Sequence, residues 1–144
     1  MSAITCGIYL YNVHSRKMLV CHATHASWKQ WSIPKGLPEK HEDLWAAAVR
    51  ELHEETGINI SKLRITHSIQ LPSIKYQKQN KILESFLVVV EDDLTNFNFQ
   101  CLQSNQTLAP EVNQWKWITL AQANVWLHET QRKNLEVIKK NVEV

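Results

Sequence analysis

Residues 36–58 read GLPEKHEDLWAAAVRELHEETGI. Gly36 and Pro38 punctuate a loop, Asp43 stands where a helix begins, Ala46, Ala47 and Ala48 are strong helix formers, and Gly57 sits where a helix ends in the left-handed conformation. The pattern predicts one helix over 43–56. At about 100° per residue, Glu51, Glu54 and Glu55 fall within an arc of roughly 100°, and Trp45, Ala48, Val49, Leu52 and Thr56 form an apolar stripe beside them. The acidic face therefore borders the core.

Acids usually cover a solvated surface, but this helix is a poor design for that purpose. Like charges four residues apart weaken a helix by roughly 0.2–0.5 kcal/mol, and acids in its last turn oppose the macrodipole. A positive partner is expected among Glu51, Glu54 and Glu55, and hard carboxylate oxygens suit Mg²⁺ or Mn²⁺. Such ions polarise a phosphoryl oxygen while a free carboxylate accepts a proton from water, which points to phosphoryl or pyrophosphoryl chemistry. Arg50, on the flank of the helix, is placed to orient Glu42 through a bidentate pair.

Working outward, residues 4–11 and 17–23 are rich in β-branched and aromatic types around a turn at 12–15, and read as a hairpin. Trp28, Trp31, Pro34, Gly36 and Pro38 make 24–38 a structured loop, with a short strand expected at 31–33. Residues 63–71 and 82–90 predict two strands around a lysine-bearing loop at 73–81, and 95–106 a long connection. A strand at 115–118, a helix over 120–127 capped by Thr119, and a helix over 129–141 close the chain. Trp45, Trp115, Trp117 and Trp126 are expected in the core. No internal repeat or low-complexity tract interrupts this order, so residues 1–144 are expected to form a single domain of α/β class.

Composition excludes more than it assigns. The chain of 144 residues is 44% hydrophobic and 21% charged with a formal charge of +2, so long-range attraction to nucleic acid or membrane is not favoured. Its apolar runs are far shorter than the roughly 18 residues that span a bilayer. Met1-Ser2-Ala3 opens no basic-then-apolar leader, and a cytoplasmic location is the expectation. Cys6, Cys21 and Cys101 are odd in number and widely spaced, which argues against a disulfide framework; Cys21, His22 and His25 lack an evident fourth zinc ligand.

The stretch resembles the box of the Nudix hydrolase family: Gly, five residues, Glu, seven residues, then Arg-Glu-(aliphatic)-x-Glu-Glu-x-Gly-(aliphatic). Gly36, Glu42, Arg50, Glu51, Leu52, Glu54, Glu55, Gly57 and Ile58 fill its nine fixed places. The resemblance implies an α/β/α sandwich with a mixed β-sheet, and hydrolysis of nucleoside diphosphate derivatives with Mg²⁺ or Mn²⁺. It implies that Glu51 and Glu55 hold metal, joined by Glu54 or leaving Glu54 as the base, with the carbonyl of Lys35 or Gly36 as a further ligand. Pro110-Glu111-Val112-Asn113-Gln114-Trp115 resembles a stretch of some branches that supplies a later acid, so Glu111 is the expected fourth ligand and Glu84 its rival.

Trp31-Ser32-Ile33-Pro34-Lys35-Gly36 is similar to the corresponding segment of the dinucleoside polyphosphate hydrolase branch. By that likeness Lys35, with Lys75, Lys78 and Lys81, neutralises a polyphosphate; a base also needs a stacking surface, for which Trp28, Tyr76 and His25 are the candidates. His41 replaces a glycine that many members carry, which puts the loop shape before Glu42 in question. The favoured substrate is a dinucleoside polyphosphate, then a nucleoside triphosphate. An RNA 5′-end pyrophosphohydrolase and a catalytically silent nucleotide sensor are the alternatives, and the oligomeric state, monomer or homodimer, stays open.

Overall fold

The computed structural model describes residues 3–24, 30–102 and 112–143. Strand β1 (Ala3–Asn12) alternates Cys6, Ile8 and Leu10 on one face with Tyr9 and Tyr11 on the other, and all five are buried. A strand that is apolar on both faces belongs inside a covered sheet. Accordingly β1 pairs in parallel with β6 (Lys81–Val90) and antiparallel with β2 (Lys17–Ala23). Outside them lie β4 (Ile65–Gln70), beside β6, and β7 (Val112–Ile118), beside β2, giving the order β4-β6-β1-β2-β7. Two-residue strands β3 (Lys35–Gly36) and β5 (Ile74–Lys75) pair with β1 and β6.

Helix α1 (Leu44–Thr56) covers one face and buries Ala47, Ala48 and Leu52 against Ile8, Leu10, Leu19 and Val88. Helices α2 (Leu120–Trp126) and α3 (Leu135–Val142) cover the other, where Ala123, Leu127, Leu135 and Ile138 meet Tyr9, Val20 and Leu87. The result is the expected α/β/α sandwich on a mixed sheet. Each fully buried leucine contributes about 1.5–3 kcal/mol relative to exposure, so both layers are anchored. No described helix is long and apolar enough to cross a membrane.

Local chemistry sets the ends of α1. The Asp43 side chain accepts from the Ala46 N–H, and Gly57 adopts φ 82° while its N–H donates to the His53 carbonyl. Thr119 and Gln122 form a reciprocal capping box at the start of α2.

Four expectations need correction. The short strand predicted at 31–33 is only a pair of isolated bridges, Trp31 with Leu127 and Ser32 with Cys21; the true strand is β3, two residues on. The loop over 73–81 contains β5. The helix predicted over 129–141 begins as a 3₁₀ segment, Glu129–Asn134, and becomes α-helical only at Leu135. There the Gln131 side chain is fully buried and takes tertiary partners, which overrides the helical period. The four tryptophans are half-buried at the edges of the core: Trp45 meets Phe86 edge-on, Trp115 stacks on Phe99, and Trp126 lies under the Lys116 ammonium.

Candidate metal and nucleotide site

Glu51 projects from α1 into the protein and is only 4% exposed. It fits because Gly36, on β3, has no side chain: a Cβ there would fall deep inside van der Waals contact with the Glu51 carboxylate. One turn later, Glu55 Oε1 accepts the Lys35 N–H at 3.2 Å. Two carboxylates of α1 thus close on the two residues of β3, and the Gly36 carbonyl beside them accepts from the Thr5 hydroxyl at 3.2 Å. Burial pushes the Glu51 carboxyl above its ordinary range, opposed by Arg50.

Arg50 is the hub of the remaining acids. Its Nε and Nη2 donate to the two oxygens of Glu42, both at 2.9 Å, forming the bidentate pair. Nη1 donates to Glu51 Oε1 and to Glu54 Oε2 at 3.0 Å, and Nη2 also reaches the Leu37 carbonyl at 3.0 Å. The Arg50 guanidinium is thus the positive group among Glu42, Glu51 and Glu54. Among the described residues no three His, Cys, Asp or Glu side chains form a ready-made metal cage. The donor set still suits Mg²⁺ or Mn²⁺, because Glu51, Glu55 and the β3 carbonyls are hard oxygens brought together by a cradle that only glycine allows.

Acidic side chains in the last turn of a helix face its negative pole, and neighbouring segments offset that penalty. The Glu54 carbonyl accepts from the Leu102 N–H at 2.6 Å, the Thr56 carbonyl from Gln100 at 3.1 Å, and the Glu55 carbonyl from the Trp115 indole at 2.7 Å. The long connection and β7 therefore hold the end of α1 that carries Glu54 and Glu55. Composition gave no sign of this support.

A polar cavity of about 360 Å³ opens beside Glu55, lined also by Lys35, Lys81, Tyr76, His128 and Gln131. Burial pulls the Lys35 ammonium down while Glu55 raises it. Tyr76 is only 5% exposed, and its hydroxyl accepts from Gln131, which fixes the ring as a wall of the cavity. Lys75 and Lys78 are exposed, and Lys78 lines an adjoining cavity. Glu84 sits in register with Cys6, and its carboxylate accepts from the Ser73 hydroxyl. Glu111, Trp28 and His25 lie outside the described residues. His22 bonds Asn113 and meets Trp31 edge-on. Adjacent strand residues point to opposite faces, so Cys21 and His22 do not converge on one zinc ion. His41 takes φ 65°, a conformation natural to glycine, so the loop keeps that shape despite the side chain. Sequence reasoning missed Gln131 and His128, which carry no spacing signal.

A NUDIX domain model matches residues 1–140. The RNA pyrophosphohydrolase of Roseobacter denitrificans is 33% identical over 97 residues, covering 63% of this chain and 61% of that protein. The chain thus spans about three fifths of that curated relative's length. Among solved structures, the Caenorhabditis elegans Ap4A hydrolase binary complex has a TM-score of 0.76 at 22% identity, covering 96% of this chain and 98% of that one. The NUDIX domain of Shewanella oneidensis NrtR complexed with ADP ribose has a TM-score of 0.69 at 16% identity, covering 99% and 89%. Those likenesses extend the shared sandwich over nearly the whole chain, and with the family match over 1–140 they carry the conclusion that this chain belongs to the Nudix family.

Proposed function

We propose that the chain is a Mg²⁺- or Mn²⁺-dependent pyrophosphohydrolase that cuts a phosphoanhydride of a nucleotide polyphosphate, with a dinucleoside polyphosphate as the favoured substrate and a nucleoside triphosphate next. The observation that carries this reading is the Glu51 carboxylate seated over Gly36 and, one turn on, Glu55 on the Lys35 N–H, where Glu55 lines a cavity that also carries Lys35 and Lys81. When bound, the divalent ion supplies Lewis-acid polarisation of a phosphoryl oxygen and lowers the pKa of water.

Glu51 and Glu55, with a β3 carbonyl, would hold the ion. Glu54 accepts the proton of the attacking water. The new bond joins the water oxygen to one phosphorus, the bridging P–O bond breaks, and the leaving phosphate keeps that bonding pair. Arg50 holds Glu51 and Glu54 in place and is itself anchored by Glu42 and the Leu37 carbonyl. Lys35 and Lys81 offset the phosphate charge, and Tyr76 walls the site.

The name of the Roseobacter relative favours a second reading, removal of pyrophosphate from RNA 5′ ends. A panel of diadenosine tetraphosphate, ATP, 5′-triphosphorylated RNA and ADP-ribose, incubated with Mg²⁺ in ¹⁸O-water, separates these readings and shows which phosphorus takes the label. Turnover of a nucleotide that Glu54→Gln abolishes supports the proposal. Binding without turnover of any member overturns it in favour of a nucleotide sensor.

A further inference from the structure

The cavity beside Glu55 does not end at Tyr76. A second cavity of about 390 Å³ shares Gln30, Tyr76, Gln79 and His128 with it and continues outward to Lys78 and Arg132. His128 thus stands where the inner cavity meets the outer one. We propose, building on the pyrophosphohydrolase reading, that His128 is a specificity-determining residue that selects long polyphosphate chains, donating a hydrogen bond from Nε2 to phosphate beyond the groups held at Glu51 and Glu55.

The hydrogen bonds fix which nitrogen can do this. The Thr130 backbone N–H donates to His128 Nδ1 at 3.2 Å, and a backbone N–H can only donate, so Nδ1 keeps its lone pair and the proton is on Nε2. The ring is also held by its surroundings. The His128 backbone N–H donates to the Trp31 carbonyl at 2.8 Å, fixing the main chain that carries the ring, and the Tyr76 ring meets the imidazole edge-on with centroids 5.3 Å apart. A donor held this firmly loses little rotamer freedom on binding. Burial and the nearby Lys35 lower the His128 pKa, so a neutral imidazole with its Nε2–H is the form at neutral pH.

Charge follows the same line. Lys35 and Lys81 serve the inner cavity, while the outer one is lined by two cations, Lys78 and Arg132, and one carboxylate, Glu129. Arg132 is committed in part, since its Nε and Nη2 donate to the Leu127 and Val125 carbonyls. A chain confined to the inner cavity does not meet Lys78, whereas a chain carrying further phosphate and a second nucleoside passes His128.

The test compares diadenosine tetraphosphate with ATP in the wild type, His128→Ala, His128→Gln and Lys78→Ala. His128→Ala is expected to raise KM for the tetraphosphate about tenfold with kcat within twofold, and to raise KM for ATP far less. His128→Gln, which keeps an N–H donor, is expected to recover most of the loss. Lys78 is exposed, so its alanine variant keeps the fold and is expected to raise KM several-fold for the tetraphosphate alone. Equal effects on both nucleotides, or no effect on either, overturn the proposal. Competition binding with non-cleavable methylene analogues reads the same contrast without turnover. Absence of wild-type hydrolysis therefore counts against the pyrophosphohydrolase reading, while the binding contrast still decides the role of His128.

Discussion

Replacing Gly36 with alanine inserts one methyl group at the point where Glu51 meets β3. The new Cβ would overlap the Glu51 carboxyl carbon and both its oxygens. Ordinary contact between carbon atoms is about 3.5–4 Å, so the carboxylate must retreat by roughly 1 Å or more. Little room exists for that retreat, because Glu51 is 4% exposed and its Oε1 is tied to Arg50. Overpacking of this kind costs about 1–3 kcal/mol, which for a chain of this length lowers Tm by roughly 3–9 °C. The larger effect falls on function: a displacement of about 1 Å in a positioned group lowers kcat on the order of 10²-fold. Urea unfolding gives the stability change, and Mn²⁺ titration followed by electron paramagnetic resonance gives metal affinity on the folded protein. Gly36→Ala is expected to remain folded in most molecules, bind Mn²⁺ at least tenfold more weakly and lose most turnover. A folded Gly36→Ala protein with Mn²⁺ affinity and kcat within twofold of wild type refutes the idea that Glu51 acts from its seat on Gly36.

Two further outcomes follow from the groups around α1. Trp115→Phe keeps an aromatic ring against Phe99 but removes the indole donor to the Glu55 carbonyl; a loss of about 1 kcal/mol in urea unfolding and several-fold weaker Mn²⁺ binding are expected, and unchanged values for both would deny that bond a role. Hydrogen bonds from Arg50 hold the Glu42 carboxyl below its ordinary range, so the unfolded chain takes up the proton first on acidification. The Glu42 contribution to stability is therefore complete above the unfolded carboxyl pKa of about 4.3 and is lost as pH falls through the folded value. Glu42→Gln should flatten the acid limb of a stability profile below the unfolded carboxyl pKa of about 4.3, and superimposable profiles would contradict it.

Much of the site could be read from residues 36–58 because its determinants are local. Asp43, the alanine run and Gly57 define one helix by capping and propensity alone, and the helical period then puts Glu51, Glu54 and Glu55 on one flank. What the period does not convey is depth or partner. Arg50 sits on the same wheel, yet only the packed structure shows its guanidinium among three glutamates rather than at the surface. Strands β3 and β5 have two residues each, too few to alternate, and exist because β1 and β6 offer them free edges. Gln131 makes a helical pattern misleading over 129–134: its amide serves the Ile33 N–H, the Ser32 hydroxyl and the Tyr76 hydroxyl, partners 55 to 99 residues away. His128 was equally silent, since its meaning depends on where the connection between α2 and α3 crosses the cavity.

The proposed chemistry depends on Glu51 and Glu55 together gripping a divalent ion against β3. Equilibrium Mn²⁺ titration of the wild type, Glu51→Gln and Glu55→Gln, each with and without a non-cleavable dinucleoside polyphosphate, tests it most directly. Saturable binding by the wild type that nucleotide strengthens, and at least tenfold weaker binding by either folded variant, are expected. Mn²⁺ affinities unchanged in both variants, with nucleotide present, would contradict it.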